Sequence, residues 1–490
     1  MVFADLLFIF LFFALCLAIS TFMKTNKARN IVLLVFSLIF YAWSGPWLLL
    51  VLCGMTFVCY FGAIQIEKAK EQMSGSGSPL KAKKMMRLTL ILTLVICLGA
   101  LAFFKYTTFL STEFARWFAP TAHIPQIILP IGISFYTFQL ISYVVDVYRS
   151  EVPAQKKYYL LLLYAGLFYQ CIAGPIVRYK TVAQELTDRK LNLSDFSKGI
   201  TRFAVGLAKK ALLANTLGAL ADTLVPVSGQ GIHNAATVTV FLGSLAYMLQ
   251  IYLDFSAYSD MAIGMGLMSG FHFLENFNYP YMADSMTDFW RRWHISLSSF
   301  FRDYVYIPLG GNRKGIARQY LNLFIVWVLT GIWHGAGWNF LLWGLYFFLI
   351  LCIEKRIIDF KEEPSKGAYV ARRSITLVLL FFGWILFRYS DMSVMLDVLG
   401  GLFCINGNPF WDLTTSLTLL NNCFLLPAAI VACTPIIPYL HSLLDYAAYK
   451  KRGLRPVVRV LSVVLPILLV VLSALYLAGQ NYNPFLYTQF

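Results

Sequence analysis

Acidic side chains are scarce in this chain: 24 Asp and Glu stand against 40 Lys and Arg in 490 residues, and charged residues make up only 13% of the total while apolar ones make up 59%. A soluble domain cannot hide that much apolar surface from water, so a water-soluble globular protein is excluded. The nine cysteines contain no C-x-x-C pair, and Cys16, Cys53, Cys59, Cys97 and Cys352 fall inside apolar segments. They read as small buried residues, and neither a zinc cage nor a disulfide framework is supported. No G-x-S-x-G elbow and no phosphate-binding glycine loop is present, which removes serine-hydrolase and P-loop chemistry. The formal charge of +16 is spread over short Lys and Arg clusters between apolar runs. That is the pattern of cytoplasmic loops, not of a nucleic-acid-binding face, and no nucleic-acid partner is expected.

What is present is a succession of long apolar runs. At about 20 apolar residues per crossing, the chain reads as a single polytopic membrane domain over 1–490 with roughly 11 or 12 transmembrane helices plus re-entrant and interfacial pieces. Val2–Thr21 lacks a basic leader and is expected to be a retained first helix leading inward to Lys24, Lys27 and Arg29. Ile31–Trp43 goes out and Trp47–Ile66 returns to a basic loop that includes a Gly/Ser linker, Ser74–Pro79. Leu88–Leu110 leads to an outer loop with Pro120 and Pro125, and Ile127–Tyr148 comes back. Tyr158–Val177 has basic residues on both flanks and fits a re-entrant hairpin turning near Gly174-Pro175. Thr201–Val225 and Thr237–Leu253 are crossings, and the mixed stretch from Asp254 to Arg318 reads as short interfacial or re-entrant helices. Tyr320–Trp333 and Trp338–Ile353 form a hairpin joined through His334-Gly335-Ala336-Gly337. Ile375–Phe387, Phe424–Leu440 and Val457–Tyr476 complete the count.

An ionisable side chain within a membrane segment is expensive, which makes it a functional-site hypothesis. His334 lies among small residues at the far turn of the hairpin, and a histidine can serve as a general base at neutral pH. His294 follows Trp290-Arg291-Arg292-Trp293, so a structural role beside the arginines competes with a role in the site. Arg291, Arg292, Arg302, Arg313 and Lys314 suit either a phosphate-rich donor or ordinary cytoplasmic topology. Metal binding would need Asp254, Asp260, Asp288 or Asp303 beside the two histidines, and no metal site is expected. Asp146 and Asp254, inside apolar helices, are expected to be buried and paired with a polar or basic partner. Gly310-Gly311-Asn312 reads as a turn. A transporter would use the same buried polar residues but predicts inverted repeats, and none is found.

Two long motifs, SMTDFWRRWHISLSSFFRDYVYIPLGGNRKG and LTGIWHGAGWNFLLWG, resemble those of the membrane-bound O-acyltransferases, and within them the bacterial branch that O-acetylates alginate. PIGISFYTFQLISYVVDVYR, IAGPIVRY, LDFSAYSDMAIG and the C-terminal NPFLYTQF are similar to the same branch. The resemblance implies an all-α integral membrane fold, a ring-like bundle around a central tunnel. It implies transfer of an acyl group from a cytoplasmic thioester to an extracytoplasmic hydroxyl, on a polysaccharide or on a relay partner protein, in a bacterial inner membrane. The family's near-invariant histidine falls on His334 and the second polar position on His294. The related D-alanyl transferases usually lack the continuation seen at Tyr306–Arg313. This favours acetyl-CoA as donor over an acyl carrier protein, with no permanently bound cofactor.

Overall fold

The computed structural model describes residues 3–74, 78–118, 121, 124, 126–171, 174–358, 365–480 and 483. The centre of the Gly/Ser linker, Pro120, Pro125, part of the loop after Glu354 and nearly all of NPFLYTQF lie outside these. Every regular element among the described residues is helical. The chain forms two compact units, one made of Met1–Arg202, Ala262–Glu275 and Ser299–Pro308, the other of Phe203–Met261, Asn276–Ser298 and Leu309–Phe490. Seven described helices are long and apolar enough to cross a membrane, and an eighth crossing follows if Leu413–Asn421 and Leu425–Ala432, bent by 61°, act together. On the last of the seven, Arg452–Ala478, Val457, Val460, Leu461, Val464, Ile467, Leu468 and Leu475 are all exposed. Such a face suits contact with lipid hydrocarbon.

Several helices depart from the hydropathy limits for identifiable reasons. The run starting at Leu88 begins at Pro79 and continues to Phe118, because Lys81, Lys83, Lys84 and Arg87 are good helix formers and carry the helix beyond the bilayer. The Ile127 run becomes helical only at Ile133, after Pro130 and a left-handed Gly132. Thr237–Leu253 extends to Met268 straight through Asp254 and Asp260. Charge pairing removes the reason to break it there: Lys210 Nζ lies 2.7 Å from Asp254 and Lys209 Nζ 2.7 Å from Asp260. Tyr158–Val177 starts as Tyr158–Gly166, breaks at Leu167, resumes for one turn at Phe168–Cys171, and has no regular structure at residues 175–178. Phe424–Leu440 is split into Leu425–Ala432 and Ile436–Lys450 around Pro435.

In the first unit Leu49–Ser74 and Pro79–Phe118 pack side by side, and the Cys59 and Cys97 thiols meet at 3.4 Å, buried and reduced. Asp146 is buried and accepts from the Tyr304 hydroxyl at 2.7 Å, while Asp303 pairs with Arg178 at 2.7 Å.

The second unit holds the expected hairpin, Ile316–His334 and Trp338–Ile357. Its two helices touch backbone to backbone. A Cβ added at Gly331 would lie 2.4 Å from the Phe340 carbonyl oxygen, and one at Gly344 2.4 Å from that of Trp327. Small residues permit this approach, and in lipid close packing is the main source of helix adhesion. Gly331→Ala or Gly344→Ala is therefore expected to destabilise the protein by about 1–3 kcal/mol, as overpacking does. The measurement is thermal unfolding in detergent, and an unchanged midpoint for both variants would refute the close-contact account.

Candidate active site

The site assembles in the second unit from three pieces of chain. The first is a short helix, Met286–Arg292, whose start is strongly fixed. Ser285 caps it by accepting from the Asp288 amide at 3.1 Å. The Glu354 carboxylate, from the end of the second hairpin helix, accepts from the Met286 and Thr287 amides and from the Thr287 hydroxyl. A carboxylate at a helix N-terminus satisfies orphan amides and complements the helix dipole.

That helix stops at Arg292, Trp293 is extended, and His294 turns into the left-handed region at φ 44° before Ile295–Phe301 begins. A non-glycine residue in this region is uncommon and signals an imposed conformation. The His294 carbonyl accepts from the Leu297 and Ser298 amides at 3.0 and 3.1 Å, and so starts the next helix. The imidazole is 1% exposed, with Phe255 edge-on at 4.7 Å and Trp333 at 5.9 Å between ring centroids. Burial pushes its pKa well below the ordinary histidine range, so the ring is neutral at physiological pH.

His334 is the last residue of its helix, followed by extended Gly335. Its ring is 5% exposed and lies 5.0 Å from Trp333, 4.9 Å from Trp343 and 5.3 Å from Phe387. The cage is continued by Trp384, which packs against Trp293 at 4.8 Å and on Phe387 at 5.8 Å. Asn339 ties the cage down by donating to the Phe387 carbonyl at 3.0 Å. Both histidines thus touch one indole, Trp333. Packed aromatic walls keep an imidazole in one orientation, and their low polarity strengthens any polar contact that it makes.

The five basic residues separate. Arg291 and Arg292 line a polar pocket of about 340 Å³ with Asp284, Ser285, Thr287, Asp288 and Tyr369. Within it Arg292 is paired with Asp288 at 2.8 Å, whereas Arg291 is exposed. Arg302 belongs to the first unit and is held by Asp303 at 2.7 Å. Arg313 and Lys314 are exposed in the turn after Gly310-Gly311, whose carbonyl at Gly311 accepts from Asn322 at 2.9 Å. Among the described residues no group of three or more His, Cys, Asp or Glu side chains is placed to hold a metal ion.

Three features escape a reading of the motifs. Asn276 touches His294, Glu354 clamps the helix before it, and Lys210 faces Asp254. Only the last left a signal, since a lysine in an apolar helix requires a counter-charge.

Comparison with known proteins agrees with this architecture. Residues 33–396 match the model of the membrane-bound O-acyltransferase family. The chain is 36% identical to a probable alginate O-acetylase of Pseudomonas putida over all of both chains. It is 33% identical to a peptidoglycan O-acetyltransferase of Helicobacter pylori, over 79% of this chain and 76% of the other. To a teichoic acid D-alanyltransferase of Bacillus subtilis it is 27% identical over 55% of this chain and 71% of the relative. With an all-helical multi-pass membrane fold and this match over most of its length, the chain belongs to the membrane-bound O-acyltransferase family and is an O-acyltransferase.

Proposed function

We propose that this enzyme sits in a bacterial inner membrane and moves an acetyl group from cytoplasmic acetyl-CoA to a hydroxyl of an extracytoplasmic polysaccharide, or to a relay partner protein. The observation that carries this reading is the placement of His334 and His294 against the single indole of Trp333. In the reaction the hydroxyl oxygen attacks the thioester carbon, the C–S bond breaks, and the CoA thiolate leaves. His334 takes the hydroxyl proton, a general-base role that typically contributes 10²–10⁴-fold. Arg291 and Arg292, in the polar pocket, receive donor phosphates, with Arg291 the stronger candidate because Asp288 already compensates Arg292. Arg302, Arg313 and Lys314 are outside that pocket and act, on this reading, as topological charges.

Acetyl is favoured over D-alanyl because similarity to a probable alginate O-acetylase covers the whole chain, and to the D-alanyltransferase about half of it. The test offers the purified enzyme labelled acetyl-CoA with an O-deacetylated polysaccharide and follows free CoA and labelled product. Turnover with acetyl-CoA supports the proposal. Turnover only with an acyl carrier protein would refute the donor assignment.

A further inference from the structure

Asn276 is 0% exposed, and its side-chain oxygen gathers three contacts. It accepts from the Ser296 backbone amide at 3.1 Å and from the Ser296 hydroxyl at 2.8 Å, and it lies 3.2 Å from Nδ1 of His294. A backbone amide can only donate, so the amide contact fixes which end of the Asn276 side chain is oxygen. The Ser296 hydroxyl also lies 3.3 Å from Nδ1, but its single proton goes to the Asn276 oxygen at 2.8 Å, so both oxygens face the ring nitrogen with lone pairs and the hydrogen belongs on Nδ1. The main chain adds rigidity: the Asn276 carbonyl accepts from the Ile295 amide at 2.9 Å, and the Asn278 amide donates to the Arg292 carbonyl at 2.9 Å. These two bonds bracket His294 and hold it at its left-handed backbone angle.

We infer that Asn276 is a positioning residue that locks His294 as the Nδ1–H tautomer, which makes Nε2 the acceptor nitrogen of the ring. This rests on the reading of His294 as a site residue. It also assigns a side of the reaction. A neutral ring with an acceptor at Nε2 cannot donate to the thioester carbonyl, so His294 is not an oxyanion stabiliser through that nitrogen. With His334 as the base for the attacking hydroxyl, as proposed above, His294 is left the role of an acceptor.

The experiment compares three variants of the full-length enzyme in the labelled acetyl-CoA assay. Asn276→Leu keeps the branching and heavy-atom count of the side chain and removes the acceptor. It is expected to lower kcat about 10- to 100-fold, the scale for losing the partner that orients a working imidazole, with donor KM nearly unchanged. Asn276→Asp keeps the acceptor oxygen and is expected to recover most of kcat, which a merely structural role for a buried neutral amide does not predict. His294→Gln separates the premises. If it retains full turnover, the reading of His294 fails; if it loses turnover while Asn276→Leu keeps it, the tautomer inference fails. Should Asn276→Leu not fold, ¹⁵N-histidine solid-state spectra of the unmodified enzyme, assigned by difference from His294→Gln, decide directly. An Nδ1–H signature supports the inference, and an Nε2–H signature overturns it.

Discussion

Replacing His334 with alanine is expected to reduce acetyl transfer by about 10²–10⁴-fold, the loss that follows removal of a general base. Protein level and thermal midpoint should fall far less than activity, because the aromatic cage does not depend on this ring. Trp343 packs on Phe387 at 5.3 Å and on Trp384 at 6.3 Å without it. His334→Gln provides the control for shape: it keeps a polar group of similar size but cannot take a proton at neutral pH. It should therefore be as inactive as the alanine variant. The effect should fall on kcat, since a proton acceptor is used in the transition state and contributes little to binding the donor. Wild-type turnover by His334→Gln would remove His334 from the chemistry and return it to the role of a caged core histidine.

The membrane class, the hairpin and His334 at its elbow were all readable from the residues. Each depends on one-dimensional signals: length of apolar runs, glycine interruptions, and a titratable group where lipid makes it expensive. Other features depend on groups distant in sequence. Asn276 lies eighteen positions before His294 in an aromatic stretch, ENFNYPY, that carries no recognisable periodicity. Only the return of the chain across Asn278 and Arg292 brings its amide to the imidazole. The helix limits failed for a related reason. The stretch after Leu253 reads as separate short helices because Asp254 and Asp260 are charged, yet lysines from another helix allow the preceding helix to continue to Met268. The basic cluster shows the opposite problem. Five cations close in sequence resolve into two that line a polar pocket, two in an exposed turn and one held by Asp303.

The Lys210–Asp254 pair carries the largest expected effect on stability. Both side chains are 1% exposed and 2.7 Å apart. Lys210 lies in a π-helical segment, Lys209–Ala214, that interrupts the Leu193–Leu224 span. Such segments are uncommon and are frequently found at functional sites. Here the local widening brings two successive lysines to two carboxylates on the Thr237–Met268 helix. Asp254 is adjacent to Phe255, whose ring meets that of His294 edge-on at 4.7 Å, so the pair lies one residue from a wall of the site. Lys210→Met removes the counter-charge of a buried carboxylate and is expected to destabilise the protein by about 3–5 kcal/mol, as is Asp254→Leu. The double variant replaces the pair with apolar side chains of similar shape. It should recover most of that loss, because a buried pair contributes little net stability once both charges are gone. Thermal unfolding of the four proteins in one detergent measures this coupling. If both single variants melt with the parent, the two charges are not interdependent. If the double variant regains stability without regaining acetyl transfer, the pair does more than hold the helices together.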